Sequence, residues 1–262
     1  MQQLPARTGN VTLERLIGAD WPAGQRCRGV LDGVLTGSIW VDRWPRPGWV
    51  AVTELADGTT YFGGKPDAAA VTKVFGRLAP ASNEIVVGLR SGDDPIVAVL
   101  PPRPDYDGHA IDFSARRPDP DRDALAATPP PGVRLAPMDV DLFRRSRWFE
   151  DTVYAFGSVE RWQKLGLGVA VLLRGALVSE ALAGPAIRAT MEMGIVTHPD
   201  HRRRGYATAA ANVLAAECEA RGLEVWWNAN ADNLPSLAVA RRIGFSRERR
   251  YRVLMWRSER FP

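Results

Sequence analysis

Residues 196–210, VTHPDHRRRGYATAA, set Arg202, Arg203 and Arg204 directly before Gly205 and then run into alanine-rich sequence. The preceding MEMGIVT, 191–197, reads as a strand, and the residues from Tyr206 onward read as a helix. Strand, short loop and helix in that order bring a helix N-terminus to the loop. The first amides of a helix have no internal partner, and the aligned peptide dipoles add partial positive charge there. An anion can accept those hydrogen bonds only if its oxygens come close to the backbone. Gly205 and the small Ala207 leave that room, and the arginines supply screening charge. The chemistry on offer is the holding of a phosphate or pyrophosphate. It is not a Walker loop, because no Gly-Lys-Ser/Thr follows, nor a dinucleotide fingerprint, because there is no Gly-x-Gly-x-x-Gly. A solvated basic turn is the plain alternative. A DNA-binding helix-turn-helix is another, although a strand precedes the loop and the helix carries few basic residues to read a groove.

The elements that must position this loop are legible around it. GVRLAPM (132–138) reads as a strand, with a helix expected over 139–148, and Ser158 caps a second helix through Glu160, Trp162 and Leu165, stopped by Gly166 and Gly168. VAVLL (169–173) and ALVSEAL (176–182) flank Arg174-Gly175, a tight-hairpin signal. The helix over 206–221 puts Ala210, Val213, Leu214 and Cys218 on one face and has Gly222 as its stop. LEVWW (223–227) is a buried-strand run, 235–242 a short helix ended by Gly244, and 251–256 a closing strand. Earlier in the chain, 48–64 reads as two strands around a turn at Asp57-Gly58. A helix is expected over 67–78, and strands over 84–89, 95–100 and 109–113. Trp21, Trp40, Trp44 and Trp49 either anchor a core or line a ligand pocket. Between the halves, PPRPDYDG, RRPDPDRD and TPPPG form a seam too rich in proline for helix interior or central strand. The expected organisation is an α/β N-terminal domain at 1–113, a linker at 114–131 and a larger domain at 132–262. No internal repeat is evident in the sequence.

Composition bounds the class. The chain has 262 residues, 45% hydrophobic and 24% charged, the balance of a soluble globular protein with room for a sizeable core. Its net charge of +4 is uneven: residues 1–130 carry −2 and residues 131–262 carry +6. Such an excess suits an anionic small ligand as well as nucleic acid. Cys27 and Cys218 lie in opposite halves and form neither a metal spacing nor a disulfide framework, so no metal is expected and a reducing compartment fits. MQQLPARTGN lacks a signal-peptide pattern, and no apolar run approaches the roughly 18 residues of a membrane span. A cytoplasmic protein with no membrane and no nucleic-acid partner, monomeric or homodimeric, is the expectation.

Thr197-x-Pro199-x-x-Arg202-x-x-Gly205-x-Ala207 resembles the signature of the GNAT acyltransferase superfamily, an Arg/Gln-x-x-Gly-x-Gly/Ala loop after the fourth strand. Asn233-Leu234-Pro235-Ser236 followed by AVARRIGF (238–245) resembles that superfamily's second block, which ends in Gly-Phe. Loop, helix, buried strand, Asn, helix and Gly-Phe occur in the right order over 132–256. More loosely, the chain is similar to a bacterial two-domain GNAT subgroup whose N-terminal half is a divergent, GNAT-like partner domain. The resemblance implies an α/β fold with a mixed sheet and splayed central strands. Acetyl-CoA would lie between the fourth and fifth of them, as co-substrate.

On that resemblance, the pantetheine arm pairs with the backbone of Ile195, Val196 and Thr197, and Ile195 or Val196 supplies the oxyanion amide. The pyrophosphate sits on the amides of Arg203, Arg204, Gly205, Tyr206, Ala207 and Thr208, with Arg202 beside it. Asn233 and Ser236 lie near the thiol, unless their side chains serve only to cap the helix beside Pro235. Transfer of an acyl group from a thioester to an amine needs a base, an oxyanion donor and a proton for the thiolate. Glu192, on the same strand as the cofactor segment, is the candidate base, with a solvated or arginine-paired carboxylate as the alternative. His198 and His201 lie in the loop, facing solvent or phosphate. Many relatives carry a tyrosine acid a few residues before Gly-Phe; Ala240 stands there in this chain. Ser236, Tyr206 or water is left to protonate the thiolate, or the thiolate leaves unaided. The expected reaction is N-acetylation of a small-molecule primary amine. A catalytically weak acyl-CoA-binding or sensing module is the alternative.

Overall fold

The computed structural model describes residues 1–8, 10–18, 24–56, 58–89, 94–119, 121, 129 and 132–261. Trp21, Asp57 of the expected turn and much of the 114–131 linker lie outside the described residues. The chain divides into two compact units, residues 1–110 with 250–262, and residues 111–249. Among the described residues no helix is long and apolar enough to cross a membrane.

The first unit contains β1 (Gln2–Leu4), α1 (Asn10–Ile17), α2 (Gly24–Leu31), β2 (Gly37–Val41), β3 (Trp49–Glu54), β4 (Thr59–Gly64), α3 (Ala68–Leu78), β5 (Glu84–Leu89) and α4 (Asp94–Val97). Strands β1 to β4 pair antiparallel in sequence order, and β4 then pairs parallel with β5 at Thr59↔Val86 and Thr60↔Val87. Alternation along each strand divides the apolar residues between two faces. Trp49, Ala51 and Phe62 pack with α3, while Val50, Val52 and Tyr61 pack with α1 and α2. Trp40 joins the first cluster and Trp44 the second, so these tryptophans anchor two cores and do not line one pocket.

Residues 95–100, expected as a strand, instead form α4 and a turn. Pro95 has no N–H to give a ladder but is tolerated in a helix's first turn. Ile96 and Leu100, four apart, enter the same core, which is helical spacing.

β6 (Tyr106–Phe113) crosses into the second unit. That unit continues with β7 (Val133–Pro137), α5 (Val140–Phe143), α6 (Phe149–Phe156), α7 (Val159–Leu165), β8 (Leu167–Leu173), β9 (Ala176–Ala183), β10 (Thr190–Thr197), α8 (Tyr206–Ala220), β11 (Glu224–Asn230) and α9 (Leu234–Arg242). The final strand β12 (Glu248–Arg257) crosses back and pairs antiparallel with β5. β7 to β10 pair antiparallel in order, and β10 pairs parallel with β11. Arg174 and Gly175 take φ of 51° and 83°, the two positive values a tight β8–β9 hairpin requires. The helix expected over 139–148 stops after Phe143. Asp139 caps it through the Leu142 amide, but the Ser146 hydroxyl bonds elsewhere and draws 146–148 into a turn before α6.

Two clusters again lie on opposite faces. Val169, Val171, Met191, Met193, Val225 and Trp227 pack with α8 and α9, whereas Ala170, Leu172 and Leu182 pack with α5 to α7. Helix α8 lies close to its strands because Ala210, Ala211, Leu214, Ala215 and Cys218 on that face are fully buried and mostly small. Both α8 and α9 end in the same device. Gly222 (φ 72°) lets Leu223 N donate to Cys218 O, and Gly244 (φ 99°) lets Phe245 N donate to Ala240 O. That return puts the Phe245 ring into the core, which is the structural reason for the Gly-Phe pair.

The order β–β–β–α–β with antiparallel, antiparallel and parallel pairings therefore occurs twice, in β2 to β5 and in β8 to β11. The residues show no internal repeat, but the resemblance to the two-domain subgroup implied a GNAT-like first half, and the topology agrees with it.

The segment after β6 is tied down by Arg116, whose side chain is 1% exposed. It donates to Ile243 O (2.8 Å), to Asn212 Oδ1 (2.9 Å) and to Glu219. Replacing Arg116 with Ala removes its bonds to Asn212, Glu219 and the Ile243 carbonyl at once. The second unit should lose about 2–4 kcal/mol, read as a lower midpoint of chemical unfolding.

Candidate active site

Strand β10 changes partner along its length. It pairs with β11 over 190–193, opposite 224–227, and with β9 over 193–197, opposite 183–179. Beyond Met193 and Trp227 the parallel pairing stops, although β11 runs on to Asn230, so the two strands part. Backbone direction along β10 follows from three bonds. Gly184 N donates to Glu192 O and His198 N to Val178 O (both 2.9 Å), so even-numbered residues face β9; Glu224 N donates to Ala189 O, so odd-numbered ones face β11. Ile195 and Thr197 consequently turn their N–H and C=O into the gap. Val196 turns its backbone to β9, where Ser179 Oγ also donates to its carbonyl (3.0 Å). Of the three residues expected to offer backbone to a ligand, Ile195 and Thr197 turn it to the gap and Val196 turns it to β9.

The loop continues through a short 3-10 turn, Pro199–His201. Arg202 Nε reaches Thr197 O, and Arg203 and Gly205 both take left-handed backbone, φ 63° and 80°. Gly205 is the N-cap of the 15-residue α8, with no side-chain cap and no acidic residue in the first turn. A side chain at Gly205 would meet nothing, so this glycine serves the turn and the openness of the helix end, not packing. Arg202, Arg203, Arg204 and Gly205 are exposed, and Ala207 and Thr208 partly so. The Tyr206 ring is buried in the core, leaving only its amide for a ligand. The His198 and His201 rings lie 5.7 Å apart beside this loop.

Across the gap, Asn233 caps α9 by accepting from Ser236 N (3.3 Å). Ser236 Oγ accepts from the Trp227 indole N–H (3.0 Å), and Trp227 is where the strands part. The hydroxyl is thus tied to the side chain of the residue at which the parallel pairing ends, with its own hydrogen left to donate. Ala240 is fully buried in the core, so nothing hydroxylic projects from that position. Cys218 is buried too, and burial pushes its thiol up to about 11, which makes it a core residue and not a nucleophile.

Glu192, Gly194 and Val196 present their side-chain positions to the face opposite α8, since Met191, Met193 and Ile195 pack with that helix. On this face stand three residues that the sequence reading passed over. Glu180, opposite Val196 on β9, is 2% exposed, and its Oε1 accepts from Ser146 Oγ (3.0 Å) and Arg147 N (2.9 Å). Ser146 Oγ in turn accepts from Trp148 N (3.0 Å). The Trp148 ring lies where a Cβ on Gly194 would be. Burial raises the Glu180 carboxyl above the usual range, against the lowering effect of the bonds from Ser146 and Arg147. The signal was present in ALVSEAL, where a charged residue interrupts an apolar strand.

The parted strands and the uncapped helix behind a basic Gly-x-Ala loop are features of the GNAT fold. The chain belongs to the GNAT acetyltransferase family, whose model matches residues 19–254. It is 30% identical over 126 residues to YdfB of Bacillus subtilis (strain 168), an uncharacterized N-acetyltransferase, spanning 47% of this chain and 48% of that one. It is 44% identical over 69 residues to the mycothiol acetyltransferase of Parafrankia sp. (strain EAN1pec), spanning 26% and 20%. The match thus covers about half the length of one curated relative and a fifth of the other. Among solved structures, a GCN5-related N-acetyltransferase-like protein from Streptococcus suis 89/1591 aligns with a TM-score of 0.69 at 23% identity, over 93% of this chain and 98% of that one. A tandem GNAT protein from the clavulanic acid biosynthesis pathway aligns at 0.57 and 13% identity over 98% of each. At these identities the likeness is one of fold, and it extends to the tandem arrangement. The family and the mixed α/β fold are those expected from the two sequence blocks.

The raised Glu180 carboxyl has a sign. A group held above its unfolded pKa contributes stability at pH below that unfolded value and loses it as pH rises through the folded one. Glu180→Gln keeps the acceptor oxygen and removes the charge. Chemical unfolding of the variant at pH 5 and pH 7.5 should therefore show a flatter pH dependence than the wild type, with the variant gaining most at pH 7.5.

Proposed function

We propose that the protein moves an acetyl group from acetyl-CoA to a primary amine of a small molecule, in the cytoplasm. The observation that carries this reading is the uncapped N-terminus of α8 directly after a strand whose odd-numbered backbone groups face an open gap. Acetyl-CoA would bring the activated acyl carbon as a thioester. Ile195 and Thr197 offer backbone hydrogen bonds to its pantetheine amides, and the amides of Tyr206, Ala207 and Thr208 receive the pyrophosphate. Arg202, Arg203 and Arg204 balance its charge.

Within the gap, the Ile195 N–H is the donor for the oxyanion as the amine nitrogen bonds to the acyl carbon. Glu192, on the face opposite α8, takes the proton that the amine gives up, directly or through one water. Ser236, its lone pair engaged by Trp227, donates a hydrogen bond to the sulfur as the C–S bond breaks, and the leaving thiolate takes its proton from solvent water. Two buried free cysteines fit a reducing cytoplasm.

The first unit repeats the topology without repeating the site. Its corresponding helix α3 is capped by Asp67, whose carboxylate accepts from Ala70 N (2.7 Å) where an anion would bind. The backbone of Leu16 also presses on Gly63 of β4, so a side chain there has no space. One cofactor site per chain follows.

A second reading, a module that binds acyl-CoA without turnover, is favoured by the buried Ala240 at the place of a tyrosine acid. A thiol-release assay across an amine panel separates the two, since turnover with any amine excludes a pure binder.

Calorimetry with acetyl-CoA should give one site per chain. Gly205→Glu, which places a carboxylate at the helix end in left-handed backbone, should weaken binding by more than about tenfold. Wild-type protein that fails to bind acetyl-CoA would sink the reading. Glu192→Gln should lower kcat by about 100-fold with acetyl-CoA affinity retained; an unchanged kcat removes Glu192 as the base.

A further inference from the structure

We propose that Trp148 is the wall that separates the thioester from water and from unsuitable acceptors, and that Glu180 is the positioning residue that holds it there. The inference rests on the acetyl-CoA reading above.

Its geometry is that of β10 at Gly194, the first residue after the pairing with β11 ends. One face of the strand there is covered by α8 through Met193 and Ile195. The other is covered by Trp148, whose six-membered ring edge (Cζ3 and Cη2) occupies the space of the missing side chain at Gly194. An acceptor that attacks the acyl group from the face opposite α8 must pass this indole. The ring also excludes water, the commonest competing nucleophile, and such exclusion is what suppresses side reactions in closed transfer sites.

Trp148 does not hold its own position by packing alone, for it is only partly buried. Its amide donates to Ser146 Oγ, and that hydroxyl donates to Glu180 Oε1, which also accepts from Arg147 N. Three consecutive residues are thereby fixed to one carboxylate on β9. The carboxylate sits opposite Val196, two residues along β10 from Gly194, so turn and wall are referenced to the same strand. A buried carboxylate is costly to keep, and its Oε2 has no hydrogen-bond partner. Hydrophobic packing of this turn would not need it. A fixed position for Trp148 does.

The test needs no knowledge of the acceptor, because water is the probe. In hydrolysis, water oxygen bonds to the acyl carbon, the C–S bond breaks, and a proton from water ends on the sulfur, giving acetate and CoA. Thiol release from acetyl-CoA without amine should rise about tenfold in Trp148→Ala and less in Trp148→Phe. Calorimetric affinity for acetyl-CoA should stay within about twofold of wild type, because neither residue belongs to the loop. Glu180→Ala should leak like Trp148→Ala. Glu180→Gln, which still accepts from Ser146 and Arg147, should hydrolyse at the wild-type rate; a merely stabilising role for Glu180 would lower the unfolding midpoint of the alanine variant without raising hydrolysis. Variants that bind acetyl-CoA as the wild type does yet hydrolyse it no faster overturn the proposal. Wild-type protein that does not bind acetyl-CoA overturns the acetyl-transfer reading itself, and this inference with it. The two failures are therefore distinguishable.

Discussion

Everything at the site depends on β10 losing β11 as a partner after Met193. Backbone N–H and C=O groups away from water must be paired, so a strand that leaves its neighbour requires something to take that neighbour's place. In this chain the backbone groups turned away from β9 belong to Ile195 and Thr197, with the Thr197 carbonyl accepting from Arg202 Nε, while Val196 stays bound to β9. The same divergence ends beside a helix whose first amides are unpaired. Two sets of backbone donors thus line one path, and on the proposed reading an elongated ligand with amides at one end and a pyrophosphate at the other would satisfy both. The arginines of the loop would then add attraction, with the specificity in backbone.

The opposite face of β10 obeys another constraint. Gly194 leaves a notch, Trp148 fills it, and the buried Glu180 fixes the turn from which Trp148 projects. A charged group that is costly to bury is retained where it fixes a position, and here the position is the edge of the gap. The break between α5 and α6 has the same cause, since Ser146 gives its hydroxyl to the carboxylate instead of continuing the helix.

The two units apply one topology to different ends. In each, three antiparallel strands lead into a helix and a parallel partner, with helices on both faces. The parallel pairing in the first unit is also short, at Thr59 and Thr60. What separates them is local: Asp67 caps α3, whereas Gly205 leaves α8 open. A single carboxylate at a helix N-terminus is enough to replace an external anion with an internal one.

The loop, the helix that follows it, both Gly stops and most strands were legible in residues 132–256, because glycine position, alternation and capping are local properties. The strand expected at 95–100 failed because an apolar run is ambiguous between helix and strand, and Pro95 with the four-residue spacing of Ile96 and Leu100 decided for helix. The division of labour between Ile195 and Val196 was not legible, since it depends on which neighbour each backbone group faces. Nor was the role of Glu180, Ser146 and Trp148, which are distant in sequence and meet only across paired strands. The duplication of topology was implied by the family resemblance and not by any residue repeat, because its two copies share pairing order and not residues. The sequence by itself determined the family and the Arg-x-x-Gly-x-Ala loop, because both are written in contiguous residues. Only the tertiary structure decided which backbone groups of β10 face the gap and which side chain covers the strand face at Gly194, because both depend on which neighbours the strand meets along its length.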